Sequence, residues 1–250
     1  MISLLLSNKK VYFASDLHLT STYDELSRKR ERDFVKWLDR IKNDAAAIFL
    51  LGDIFDFLFE YRHVIPRGYA RLMGKLAEMT DAGIDIHFFT GNHDQWMQNY
   101  LKDELNIKIY HKPGEFEING KTFLVGHGHD ISAGTLTERL QNFVFANPVL
   151  RAMYAWLHPR WGIALGKNRS VSSRKKHKIV EPFDGIEKEL IYKYIKTAME
   201  LKHYDFFVFG HRHLALDVQL NEKSRYINTG EWIEKQNYAV FDGEKMELQR

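Results

Sequence analysis

Five short apolar runs punctuate the chain, each followed at once by polar residues of similar type. Val11-Tyr12-Phe13-Ala14-Ser15, Ala47-Ile48-Phe49-Leu50-Leu51, Ile86-His87-Phe88-Phe89-Thr90, Thr122-Phe123-Leu124-Val125 and Phe206-Phe207-Val208-Phe209 are continuous rather than alternating. That is the pattern of strands covered on both faces. Between them the spacing changes to that of helices. Leu26 to Asn43 would turn Phe34, Leu38 and Ile41 inward, and Ala70 to Ala82 and Glu187 to Lys202 read as two more helices. Tyr238-Ala239-Val240-Phe241 reads as a final strand ended by Asp242-Gly243. Periodicity alone predicts an α/β class with strands in buried layers.

One interval breaks this rhythm. Between Asp130 and about Gly185 the strand runs disappear. Leu136, Leu140, Phe143 and Val144 fall at helical spacing, and Leu150, Met153, Tyr154 and Leu157 repeat it after Asn147-Pro148, a cap followed by a first-turn proline. Pro159 and Gly162 are expected to end that second helix. The chain thus divides into a core, 1–130 with 186–250, and a helical lid inserted at 131–185.

The polar groups at the strand ends carry the chemistry. They are Asp16-Leu17-His18, Gly52-Asp53, Gly91-Asn92-His93-Asp94, Gly126-His127-Gly128 and Gly210-His211-Arg212-His213. Open α/β sheets place their sites at the carboxyl ends of strands, so five such ends would converge on one pocket. Two divalent ions about 3.5–4 Å apart need a bridging carboxylate, several imidazoles and open positions for water and phosphate. Asp16, His18, Asp53 and His213 would hold one ion, and Asp53, Asn92, His127 and His211 the other, with Asp53 as the bridge. Oxygen and nitrogen donors without thiolate favour Mn²⁺, Fe or Zn²⁺. Each piece alone is weak evidence: a strand-end Asp more often caps a helix, Gly-Asn is a common turn, and alternating histidines can be a surface pair. Their weight lies in the set.

The set resembles the calcineurin-like metallophosphoesterases, whose signature runs D-x-H, G-D-x-x-D, G-N-H-D, G-H and G-H-x-H. All five blocks occur here in order, the second as Gly52-Asp53-Ile54-Phe55-Asp56. The resemblance implies a four-layer α/β/β/α sandwich of two mixed sheets between helices. It also implies that His93 contacts the scissile phosphate and assists the leaving group, with Asp56 orienting it. A carboxylate beside an imidazole favours the protonated form that a general acid needs. Arg225 to Trp232 resembles the family's closing strand, in which Asn228 is read as structural.

Charge adds to this picture. From Arg151 to Lys178 there are eight Arg and Lys and no Asp or Glu, so the stretch carries +8 in a chain of +3, and the rest carries −5. Met153, Tyr154, Trp156, Leu157, Trp161, Ile163 and Leu165 are interleaved with these cations. This suits an anionic amphiphile or an anionic membrane surface. The apolar positions are too many and too regular for a base-stacking platform, so nucleic acid is not the expected partner. A basic, apolar helical insertion here is similar to that of one branch of the superfamily, the UDP-2,3-diacylglucosamine diphosphatases of lipid A synthesis in Gram-negative bacteria. That resemblance implies cleavage of the substrate's pyrophosphate to UMP and the lipid 1-phosphate, typically with Mn²⁺, by a protein peripheral on the cytoplasmic side of the inner membrane. Arg169, Arg174, Lys175 and Lys176 would meet the distal phosphate or sugar, with Ser170 and Asp130 as further hydrogen-bonding candidates. The best-known members carry Arg where this chain has His93, which leaves a metallophosphoesterase acting on nucleotides, nucleic acid or phosphoprotein as the alternative. A non-catalytic scaffold is the third class, but scaffolds of this kind usually lose ligands.

The 250 residues are 44% hydrophobic, ample for one large domain, and contain no cysteine. Disulfides and thiolate metal sites are therefore excluded, as fits a cytosolic protein. Ile2 to Leu6 is too short for a signal peptide or a spanning helix.

Overall fold

The computed structural model describes residues 1–21, 24–131, 140, 143–144, 147–166 and 183–250. Two six-stranded mixed sheets lie face to face. The first contains β2 (Lys10–Ala14), β3 (Ala45–Leu50), β4 (Asp85–Phe89) and β5 (Lys108–Tyr110) in parallel, with β11 (Tyr238–Phe241) antiparallel to β2 and β12 (Met246–Gln249) at the edge. In the second, β1 (Ile2–Leu4), β6 (Gly114–Ile118), β7 (Lys121–Val125), β8 (Phe206–Phe209), β10 (Arg225–Thr229) and β9 (Ala215–Gln219) lie side by side in that order.

The alternation of side chains across each strand builds three apolar layers. Val11, Phe13, Ala47, Phe49, Phe123, Phe206, Val208 and Ile227 meet between the sheets. The intervening residues Tyr12, Ala14, Ile48, Leu50, Ile86 and Phe88 face outward onto α1 (Glu25–Ile41) and α2 (Ala70–Asp81), where Phe34, Trp37, Leu72 and Leu76 cover them. On the far side, Leu124, Phe207, Phe209 and Tyr226 pack under α5 (Leu190–Leu201) through Ile191 and Ile195. This is the four-layer α/β/β/α sandwich. Double coverage explains why the central strands are apolar at every position.

Two helical details differ from the sequence reading. The predicted helix over Glu187 to Lys202 is interrupted: a 3-10 turn, Ile186–Lys188, precedes α5, and Glu189 between them is extended. Glu189 is drawn inward by a bidentate pair with Arg212, at 2.7 and 2.9 Å. Asn147 does cap α4 (Pro148–Ala155), accepting from the backbone N–H groups of Val149 and Leu150. Pro159, however, does not end that helix. Trp156 closes it, and Pro159 opens a further helical run over 159–166 that holds Gly162 inside it.

These helices sit on the core through an aromatic cluster. Tyr154 and Ile163 pack against Phe59, Tyr61 and Trp96, with Phe57 alongside. A short α3 (Tyr100–Leu105) follows, its first N–H groups held by the Glu60 carboxylate. Among the described residues no helix is long and apolar enough to cross a membrane.

Candidate metal centre

The five predicted blocks converge at the carboxyl edges of β2, β3, β4, β7 and β8. Asp16, His18 and His213 bring their ligand atoms within 4.8 Å of one another, and so do Asp53, His127 and His211. Asp53 Oδ2 lies between the two groups, 3.7 Å from His18 Nε2 and 3.6 Å from His127 Nε2. That is where a bridging carboxylate would stand. Asn92 follows on the loop whose next backbone N–H, that of His93, donates to Asp53 Oδ1 at 2.9 Å.

The backbone is bent to aim these side chains. Asp16, His18, Asp53, His211 and His213 all have φ between 47° and 71°, a left-handed conformation unusual for residues other than glycine. Such concentrations of strain mark sites where side-chain direction matters more than backbone comfort. Glycine at 91 is required by close approach, since a Cβ there would stand 2.1 Å from Asp53 Oδ1.

A shell of hydrogen bonds fixes the donors. His127 Nδ1 donates to the Leu51 carbonyl at 2.6 Å, leaving Nε2 as the nitrogen that could coordinate a cation. The Ser15 hydroxyl donates to Asp16 Oδ2, which also accepts the His211 N–H at 3.0 Å. Asn228 is buried and donates to the Gly210 carbonyl at 2.6 Å, so it braces the His211 loop as a structural residue. Asp94 accepts from the N–H groups of Gly91, Ile54 and Phe55, tying two loops together.

Electrostatics shows what the cluster lacks. Burial would raise the Asp16 carboxyl, but His213 and His18 hold it well below the usual carboxylate range. Burial would lower His18 and His127, yet Asp16, Asp56 and Asp53 lift His18 to about 10, and Asp53 lifts His127 to about 9. His211 is driven well below its ordinary value by burial and by the charge on His127. Carboxylates here thus hold protons on imidazoles that cations would displace, so cation binding releases protons. Asp16 Oδ1, Asn92 Oδ1 and His127 Nε2 are buried without a hydrogen-bond partner among the described residues. Hard oxygen and imidazole donors left open in this way fit divalent cations.

His93 and Asp56 are together, with one difference from expectation. His93 Nδ1 donates to the Asp56 backbone carbonyl at 3.0 Å and is 3.5 Å from its Oδ1, which is also 3.6 Å from His18 Nδ1. Burial lowers the His93 imidazole and outweighs the opposing pull of Asp53 and Asp56. Asp56 therefore positions the ring without making it a cation by itself.

Asp130 is exposed, in the turn after the fourth block. Arg169, Ser170, Arg174, Lys175 and Lys176, with Leu136, lie outside the described residues. Two members of the centre went without a role in the sequence reading. His129 is buried with its ring 5.4 Å from that of His127, and burial and that neighbour push it down to about 3. Glu189 anchors the loop between His211 and His213 through Arg212. Arg212 fills the open position of the G-H-x-H block, and nothing in the sequence pairs it with a particular acid.

The calcineurin-like phosphoesterase family model matches residues 9–215, most of the chain and every ligand block. The chain belongs to the calcineurin-like phosphoesterases. These are hydrolases that use divalent metal. A protein named UDP-2,3-diacylglucosamine hydrolase from Porphyromonas gingivalis is 38% identical over 96% of this chain and 97% of its own length. One of the same name from Actinobacillus succinogenes is 24% identical over 90% of this chain and 92% of its own. A solved structure of an archaeal phosphodiesterase, 14% identical, superposes over 96% of this chain and 98% of that one with a TM-score of 0.49.

Proposed function

We propose that the protein hydrolyses the pyrophosphate of UDP-2,3-diacylglucosamine to UMP and 2,3-diacylglucosamine 1-phosphate, a step of lipid A synthesis, with two Mn²⁺ ions. The observation that carries this reading is an apolar surface fixed beside the metal centre. Trp156 is 91% exposed, Trp161 65%, Val149 64% and Met153 63%, on helices whose inner face packs on Phe57 and Phe59, directly after Asp56. Water-soluble phosphodiesters have no use for such a surface, whereas two acyl chains and a bilayer do. The likeness to proteins named for this substrate points the same way.

In this reading Asp16, His18, Asp53 and His213 hold one ion and Asp53, Asn92, His127 and His211 the other. When bound, the ions lower the pKa of water and polarise the phosphate oxygens. Asn92, being neutral, keeps the ligand set less anionic toward a charged pyrophosphate. His93, oriented by the Asp56 carbonyl, presents Nε2 to the scissile group. The incoming phosphate charge favours its protonated form, so it can donate as the leaving oxygen develops charge. The segment 131–185 acts as a lid that spends acyl-chain binding on orienting the phosphate. Its cations, among them Arg169, Arg174, Lys175 and Lys176, meet the second phosphate, the sugar or anionic lipid, with Ser170 and Asp130 as weaker polar contacts. The protein works as a peripheral protein on the cytoplasmic face of the inner membrane.

The test is Mn²⁺-dependent UMP release from UDP-2,3-diacylglucosamine, compared with Asp53→Ala and with an aryl phosphodiester. Fast UMP release, abolished by Asp53→Ala, is the expected result. Turnover of the aryl ester with no UMP release would overturn the lipid substrate and favour another phosphodiester.

A further inference from the structure

A cavity of about 460 Å³ lies on the α1 and α2 side of the core, bounded by the loop after His18, the two helices and the 159–166 helical run. Its volume is in the range of about 300–1,000 Å³ common for small-molecule sites. No residue lining it belongs to the metal centre, so a group held here takes no part in the chemistry. Three arginines line it: Arg28 from α1, Arg67 from the approach to α2 and Arg71 from the first turn of α2. The one acid in the lining, Glu31, is turned to the backbone, its Oε1 accepting the N–H groups of Arg71 and Leu72 at 3.1 and 3.2 Å. The local balance is +2. Arg67 and Arg71 are exposed, and neither pairs with an acid among the described residues. Thr20 Oγ1, also in the lining, is buried without a hydrogen-bond partner among them. Donors outnumber acceptors here, which suits an anion.

The remaining side of the cavity is apolar. Ile163 lines it while packing on the cluster of Phe59, Tyr61 and Trp96. On the same helical run Trp161 and Leu165, two residues to either side, are 65% and 56% exposed. A helix with its side chains is about 10–12 Å across, so an exposed apolar face begins about one helix width from the arginines. Cations beside an exposed indole and leucine suit an anionic bilayer surface, where the cations meet phosphate and the apolar side chains enter the acyl boundary.

We propose that this cavity docks the phosphodiester headgroup of an anionic phospholipid, with the Arg67 and Arg71 guanidinium groups on its phosphate oxygens and its acyl chains against Trp161 and Leu165. The proposal rests on the peripheral-membrane reading above and extends the contact from the inserted segment onto the α1 and α2 face of the core. Planar guanidinium forks meet two phosphate oxygens at once. A soluble phosphate ester would satisfy the arginines but leave the indole and the leucine in water.

The test measures binding of the Mn²⁺-loaded full chain to vesicles of phosphatidylglycerol mixed with phosphatidylcholine, to phosphatidylcholine vesicles and to glycerol 3-phosphate in solution. Arg67→Ala/Arg71→Ala should lower partition into the phosphatidylglycerol vesicles about 30-fold, the contribution of two cations at an anionic surface. Lys193→Ala/Lys196→Ala, the same loss of charge on α5 in the opposite outer layer, should change it less than about threefold, because salt screens charge beyond about 8 Å. Thr20→Val, which alters no charge, should cost about threefold or more, the loss of a neutral hydrogen bond. Arg67→Lys/Arg71→Lys, which keeps the charge without the fork, should recover part of the loss. Aryl-phosphodiester turnover and the thermal midpoint should stay put throughout. An equal loss in the Lys193/Lys196 variant, or none in Thr20→Val, would leave only diffuse surface charge and overturn the proposal. Glycerol 3-phosphate binding through the arginines without vesicle binding would mark a soluble-anion site and overturn it as well. If the wild type ignores both kinds of vesicle, the peripheral-membrane reading falls with the proposal; if it binds them equally without the arginines, that reading stands and the proposal alone falls.

Discussion

Gly166 is the most direct handle on how the helical segment is seated. A Cβ at this position would come 2.2 Å from Phe57 Cζ and no more than 2.5 Å from two further ring carbons. Ordinary carbon contacts are about 3.5–4.0 Å, so ring and helix must separate by about 1–2 Å in a Gly166→Ala variant. Away from such a contact, Gly→Ala within a helix stabilises by roughly 1 kcal/mol. Overpacking costs about 1–3 kcal/mol, so the net effect is a loss of about 0–2 kcal/mol instead of a gain. Gly162 faces the same constraint against the Tyr61 hydroxyl. Because Phe57 follows Asp56, the displacement should register in function as well: in Gly166→Ala, KM for the acylated substrate rises several-fold while turnover of an aryl phosphodiester changes less than twofold. Chemical denaturation and steady-state kinetics on both substrates measure this. A variant that is about 1 kcal/mol more stable, with unchanged KM, would refute the seating described here.

Four further outcomes are expected. Glu189→Gln takes a charged, bidentate acceptor from the part-buried Arg212 guanidinium and should cost about 1–3 kcal/mol and weaken Mn²⁺ binding about tenfold, read by unfolding and by metal titration; loss of neither would show that the pair does not brace the His211 loop. Asp85 is held down to about 2 by the His87 imidazole and by Lys108, against burial. Its folded pKa lies below the unfolded value of 3.8, so the stabilisation is full above pH 4 and disappears as pH falls toward 2. Wild type should therefore lose about 1–2 kcal/mol over that window that Asp85→Asn does not lose, and parallel acid limbs in urea titrations would contradict this. Stripping divalent metal should lower the thermal midpoint, by the equivalent of about 4 kcal/mol if the ion had been present at 1,000 times its Kd, and an unmoved midpoint would count against the metal centre. In metal-free protein, His213→Gly should be about 1 kcal/mol more stable than His213→Ala, because position 213 has φ 53°; equal stabilities would remove the argument from backbone strain.

The core and the ligand loops were legible for one physical reason. Strands covered on both faces are apolar throughout, and donors at their ends are polar, so β2, β3, β4, β7 and β8 stand out from the sequence. The edge strands β1, β5, β9 and β12, and β6 beside β1, did not. Ala215–Gln219 and Met246–Gln249 mix exposed polar residues with few buried ones, and nothing local separates such a strand from a loop. The break at Glu189 was equally hidden, since it depends on a partner 23 residues away.

The centre also explains why the fold around it must be so thoroughly packed. Five proposed ligands in left-handed conformation cost about 1–2 kcal/mol each, a sum comparable to the whole stability of an ordinary domain. The burial of charge adds to that cost until cations arrive. Three apolar layers, with Trp37, Phe49, Phe123 and Tyr226 among their fully buried side chains, supply the opposing term. Two of the three loops that carry the strain are held from behind, that of His211 and His213 by the Asn228 amide at Gly210 and that of Asp53 by the Asp94 carboxylate, which accepts from Gly91, Ile54 and Phe55. Metal binding then relieves the remaining imbalance, so the ions belong to the stability of this protein as much as to its chemistry.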